Sequence, residues 1–161
     1  MPTTGVAVGE NGSMPDLKTE DAGGFTVVPD DGQVTQLKVD HRFSILLAGG
    51  IELVLEGPFL LYQPGEQTPT EVPTGDVWEV EPALPLFRDQ VERVVARRSG
   101  ELYVMFSSGR RIEEPTNLPW ENYQVLFPDG TMWVGSAGGG LVTFPPPTSN
   151  VRTPHTDSPR L

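Results

Sequence analysis

Between Phe25 and Phe144 apolar and polar positions alternate mostly with a period of two, the pattern of strands that turn one face inward. Phe43, Ile45 and Leu47 alternate with Ser44 and Leu46, and Ile51, Leu53 and Leu55 alternate with Glu52, Val54 and Glu56. Gly49-Gly50 separates the two runs and tolerates the positive φ of a tight turn, so residues 42–48 and 51–56 are expected to form a hairpin. The pattern returns at Leu102, Val104 and Phe106, with Ser108-Gly109 as the turn before 110–113. It returns again at Tyr123, Val125 and Phe127, where Pro128-Asp129-Gly130 reverses the chain toward 131–134. A last short strand is expected over 141–144, stopped by Pro145-Pro146-Pro147 because proline cannot donate to a ladder. Only 81–90 suggests a helix, and Pro82 and Pro85 limit it to about one or two turns.

The segments repeat. Gln33-Val34 followed by Leu37 and Val39 matches Gln90-Val91 followed by Val94 and Ala96 at an offset of 57. Phe43–Leu47, Gly50 and Leu53 match Leu102–Phe106, Gly109 and Ile112 at an offset of 59. The expected architecture is therefore all-β: two related antiparallel meanders forming a small sandwich or barrel-like sheet, since one meander alone buries too little to be stable. Repeat one covers about 33–63, repeat two about 90–127, with closing strands over 131–144. Residues 1–24 lack aromatic side chains before Phe25 and read as a disordered tail, with Met14 a second possible start; residues 145–161 read as a Pro-rich tail.

Composition narrows the function classes. The 161 residues contain no cysteine and two histidines, His41 and His155, which excludes disulfides, thiolate chemistry and a histidine-built metal centre. No apolar run reaches the length of a membrane span and no signal-like stretch opens the chain, so a soluble, cytoplasmic protein is expected. The net charge of −11 disfavours nucleic acid and anionic membranes as partners. That charge is uneven. Residues 88–111 carry Arg88, Arg93, Arg97, Arg98, Arg110 and Arg111 against three acids, whereas the rest holds five bases and nineteen acids, a charge of −14. Arginine suits bidentate pairing with carboxylates or phosphates.

The chemistry-bearing candidates are few. Asp40-His41-Arg42 is the one acid–histidine–base cluster, and it also suits a polar hairpin turn, in which neighbouring side chains on extended backbone would point apart. Gly135, Gly138, Gly139 and Gly140 lack the Lys-Ser/Thr of a phosphate loop. Glu113, Glu114 and Glu121 flank Trp120 and read as solubilising edge charges, and Asp30-Asp31-Gly32 reads as a turn. No catalytic residue, metal site or cofactor is assigned.

Three features carry a resemblance: Val34–Asp40 followed by the glycine-closed hairpin Phe43–Glu56 and Glu56-Gly57-Pro58-Phe59; Gln90–Val95 with the hairpin at Gly109; and Trp120–Val125 with Gly138-Gly139-Gly140-Leu141. Over residues 33–144 the chain resembles an uncharacterised family of small bacterial β-domain proteins, a domain of unknown function, some members of which are similar to immunity proteins that block toxins. The resemblance implies a fold type and no activity. The expected function is a non-enzymatic protein-binding domain, immunity-like or regulatory, binding a protein partner or a second copy through Arg97, Arg98, Arg110, Arg111 and Trp120. The alternative is a small-ligand-binding protein or hydrolase with a site at His41, Glu121, Gly138 and Gly139 near the 135–140 glycine loop.

Overall fold

The computed structural model describes residues 16–116 and 119–148. Thirteen strands follow in chain order: β1 Leu17–Asp21, β2 Gly24–Val28, β3 Val34–Val39, β4 Phe43–Leu47, β5 Glu52–Leu55, β6 Phe59–Tyr62, β7 Thr70–Val72, β8 Val91–Arg97, β9 Leu102–Phe106, β10 Arg111–Glu114, β11 Tyr123–Leu126, β12 Met132–Gly135 and β13 Leu141–Phe144. They form a seven-stranded sheet, β1-β2-β8-β9-β10-β6-β7, and a six-stranded sheet, β13-β12-β11-β5-β4-β3, with every neighbouring pair antiparallel. The sheets pack as a sandwich and do not close into one barrel. The helical stretch is a 3-10 helix, Glu81–Leu86, which buries Ala83 and Leu86.

The alternation places Phe43, Ile45 and Leu47 of β4 and Leu102, Val104 and Phe106 of β9 in the core, all no more than 3 % exposed. Phe43 packs on Phe59 with ring centroids 5.3 Å apart, and Phe127 meets Trp133 edge-on at 4.7 Å. Such pairs add to the area they bury.

β3-β4-β5 and β8-β9-β10 are meanders with matching detail. Each first strand carries a register shift at the same place, between Val34 and Gln36 and between Val91 and Arg93. Gly50 N–H donates to Leu47 O and Gly109 N–H to Phe106 O, each glycine at positive φ (96° and 92°). The meanders meet at a Gln33–Gln90 bridge, flanked by Val34 N–H donating to Asp89 O and Val91 N–H to Gly32 O, both 2.8 Å. A Cβ on Gly32 would lie 2.0 Å from Val91 O, so no other residue allows this approach without displacement. After β5 the chain crosses to the other sheet as β6 against β10, and after β10 it crosses back as β11 against β5.

The start of the chain corrects the expected tail over 1–24. Leu17–Asp21 pairs with β2 along its whole length. All five of its residues are exposed, so an edge strand forms here through backbone pairing with no apolar pattern to announce it. Residues 1–15 and 149–161, the remainder of the expected tails, lie outside the described residues, and β13 ends at Phe144, just before the three prolines.

Candidate functional site

A concavity of about 520 Å³ lies on the outer face of the seven-stranded sheet. The strand register builds it. Arg93, Met105, Arg111 and Tyr62 stand side by side across β8, β9, β10 and β6, and Thr26, Val95, Tyr103 and Glu113 form the next row across β2, β8, β9 and β10. Arg97 follows one step further along β8, opposite Gly24. Arginine side chains thus lie on a floor of Tyr103, Met105 and Val95.

The arginines are not equally engaged. Arg111 lies 4.1 Å over the Tyr62 ring, with its Nε 3.1 Å from Glu113 Oε1. Arg93 Nε donates to Met105 Sδ at 3.4 Å, and Arg97 stands 5.6 Å over the Tyr103 ring. Among the described residues neither Arg93 nor Arg97 has a carboxylate within 4.0 Å. Lys18, Lys38, Arg42, Arg98, Arg110 and Arg111 each have one.

The expected grouping of Arg97-Arg98 with Arg110-Arg111 is corrected. The two pairs sit at opposite ends of the strands, about 13 Å apart along the strand direction. Arg97 and Arg111 share the groove. Arg98 turns to the sheet edge, where its Nη2 reaches Glu20 Oε1 at 2.7 Å. Arg110 follows the turn glycine and reaches Asp89 Oδ2 at 3.3 Å and Gln63 Oε1 at 3.1 Å. Trp120 is half-exposed in the crossover before β11, with no described bond or ring contact to the arginines. Arg93, placed in the basic band but not among the site residues, is the member that the sequence reading passed over.

The structure does not assemble the alternative site. His41 is exposed in the β3–β4 turn. Its Nδ1 lies 3.4 Å from Asp40 Oδ1, a contact the extended-chain argument disfavoured and the turn permits. A hydrogen bond from Arg42 N–H chiefly holds the Asp40 carboxyl below its usual range. The glycines form the β12–β13 turn, with Ser136 N–H donating to Gly140 O. Four strand spacings of about 4.8 Å separate the two turns, so His41 and the glycines stand about 19 Å apart. Glu121 accepts from Gln124 Nε2 at 3.3 Å.

A second polar group lies inside the sandwich, and here the reading of Glu114 as an edge charge is overturned. Glu114, Asn122 and Tyr123 are all 0 % exposed. Glu114 follows Ile112 in phase on β10 and faces inward. Neither Glu114 oxygen, neither Asn122 side-chain polar atom and not Tyr123 Oη has a hydrogen-bond partner among the described residues. Burial pushes the Glu114 carboxyl up to about 9, so it holds its proton at neutral pH. Burial, with the Glu101 and Glu114 charges, pushes the Tyr123 phenol well above its ordinary value. Among the described residues no three His, Asp or Glu side chains form a metal-binding group, and no helix is long and apolar enough to cross a membrane.

No curated protein and no solved structure matches the chain. Residues 29–145, which include both meanders and the arginine strands, match a family of unknown function (DUF6188), and the chain belongs to that family.

Proposed function

We propose that this protein is a non-enzymatic protein-binding domain whose recognition surface is the arginine groove on the outer face of β8, β9 and β10, and that the groove takes an acidic protein segment. One observation carries the reading. In a chain with 22 acids and 11 bases, Arg93 and Arg97 have no carboxylate within 4.0 Å among the described residues, and both line the same open groove. Two guanidinium forks over an aromatic and thioether floor suit carboxylate side chains presented on an extended segment. Most other cations are neutralised within the fold, so the attraction is local.

The matched bulges, turns and hydrogen bonds of β3-β4-β5 and β8-β9-β10 support reading the meanders as duplicated copies, of which the second has acquired the arginines. An immunity-like role, with a basic partner meeting the acidic remainder, rests on net charge and has no comparable geometry behind it. A second copy of this chain is one acidic partner that would fit.

The test is fluorescence anisotropy of a labelled decaglutamate peptide against the full chain at low and at physiological salt. Binding should be saturable and weaken with salt, and Arg93→Glu/Arg97→Glu should weaken it about tenfold or more, since hydrogen bonds to charged groups contribute about 1.5–3 kcal/mol each. Light scattering on the same samples identifies self-association. Equal binding by wild type and double variant, at equal thermal stability, would remove the groove from the account.

A further inference from the structure

After β7 the chain crosses the side of the sandwich in the segment 73–90, and burial there follows a period of three. Val80, Ala83 and Leu86 are fully buried, one turn of 3-10 helix apart, and anchor the segment on the core. Trp78, Glu81, Leu84 and Phe87 run along another side at the same spacing, and all four are exposed. Trp78 is 83 % exposed. With Val77, Leu84 and Phe87 it makes four of the nine large apolar side chains exposed among the described residues, gathered between positions 77 and 87. Single exposed apolar side chains are ordinary, but a row that includes Trp and Phe has the composition of an interaction surface.

The backbone at the end of this ridge is strained. Arg88 has φ 70°, the one described residue other than glycine in the left-handed region, and its N–H donates to Val34 O at 3.0 Å. Its guanidinium lies 5.4 Å over the Phe87 ring. Such a conformation costs about 1–3 kcal/mol and clusters at sites that use it. The charges of the ridge are unanswered. Residues 76–88 carry Asp76, Glu79 and Glu81 against Arg88 alone. Among the described residues none of the three acids has a Lys, Arg or His within 4.0 Å.

We propose that the ridge 76–88 of one copy docks in the arginine groove of a second copy. The inference rests on the groove reading above and names the groove's occupant. The two surfaces are complementary: the ridge offers exposed rings beside unpaired carboxylates, and the groove offers Arg93 and Arg97 over Val95, Tyr103 and Met105. Glu79 and Glu81 take the two guanidinium forks, and Trp78 covers the Tyr103–Met105 floor, where an indole face also receives a guanidinium. The ridge does not reach the groove of its own chain, because its buried residues hold it beside β7, and β6 and β10 stand between β7 and β9. Ridge and groove are different surfaces, so the contact is head-to-tail, and each docked copy still presents a free ridge or a free groove.

The experiment is sedimentation velocity of the full chain over rising concentration at physiological salt, where repulsion between copies of charge −11 is screened and close ion pairs persist. Wild type should sediment faster as concentration rises, and decaglutamate, which fills the groove, should return it to monomer. Trp78→Ser/Glu79→Gln/Glu81→Gln changes only exposed side chains. It should fold, self-associate about tenfold or more weakly, and bind decaglutamate as wild type does. Arg93→Glu/Arg97→Glu should lose both. An equal mixture of the two variants should regain association and stop at a heterodimer, because one supplies an intact groove and the other an intact ridge. A wild type that stays monomeric, self-association that survives in the ridge variant, or a mixture that stays monomeric would overturn the proposal. Decaglutamate binding by wild type in those cases leaves the groove reading standing; its failure removes that reading and this inference together.

Discussion

Where the outer face of the second meander presents Arg93, Arg97, Tyr103, Met105, Arg111 and Glu113, the matching positions of the first present Gln36, Asp40, Ser44, Leu46, Glu52 and Val54. The backbones agree down to a shared bulge and shared turn bonds, so the fold requires neither set. On the first face the charges cancel locally: Lys38 Nζ lies 2.9 Å from Glu52, and Arg42 lies between Asp40 and Glu56. On the second, two arginines are left facing solvent. The same contrast holds inside, where the buried Leu55 of β5 has the buried Glu114 of β10 as its counterpart. The first meander carries the residues that stability alone would choose, and the second carries the departures. Departures that a fold does not need are where function is sought.

That comparison breaks in graded ways. Leu55→Glu, which copies the Glu114 position of β10 into β5, should destabilise most, by about 4 kcal/mol, because the carboxyl would be fully buried between Phe43 and Tyr123. Urea unfolding measures it, and a loss no larger than that of an exposed substitution would show that the two interiors are interchangeable. Gly32→Ala comes next, at about 3 kcal/mol, since its Cβ would meet Val91 O at the junction of the meanders. An undisturbed unfolding midpoint would mean that the junction relaxes freely.

Glu114→Leu should act in the opposite sense and raise stability by about 1–3 kcal/mol at acidic pH, where the carboxyl is protonated folded and unfolded, and by more at neutral pH. Its pH dependence has a definite sign. The folded carboxyl titrates at about 9 and the ordinary one at 4.5. Its contribution is therefore full below about 4.5 and is lost as pH rises toward 9, with a slope of up to about 1.4 kcal/mol per pH unit. Thermal unfolding from pH 5 to pH 9 should fall steeply for wild type and less for the variant; parallel curves would contradict the buried, protonated state.

The smallest effect belongs to a tie outside both meanders. Lys18 Nζ donates to Asp129 Oδ2 at 2.9 Å and lies 4.1 Å over the Phe127 ring. The Asp129 carboxyl is held at about 2, chiefly by that bond. Lys18→Met should cost under about 1 kcal/mol, because the pair is exposed. What it adds should be present above about pH 4 and fade as pH falls toward 2.

Much of the architecture was legible in the sequence because burial in a two-layer fold writes itself as alternation. Phe43–Leu47 and Leu102–Phe106 needed only the period of two and a turn glycine. β1 and β7 were not legible for the same reason: Leu17–Asp21 buries nothing, and Thr70–Val72 buries only Val72. For the site, the arginine band was visible as composition, but its division into a groove, an edge pair and a turn pair depends on register. Glu114 carried a usable signal, since alternation from Ile112 already pointed it inward. Its charge outweighed that signal, because a lone buried carboxylate is rare enough to read as surface.

The central claim is that the second meander's outer face binds while the first's does not, and amide shift mapping tests it most directly. On titrating isotope-labelled protein with decaglutamate at low salt, the largest shifts should fall on residues 93–97, 103–105 and 111–113, leaving 36–40, 44–46 and 52–54 unmoved. Shifts spread equally over both faces, or centred on the six-stranded sheet, would contradict it.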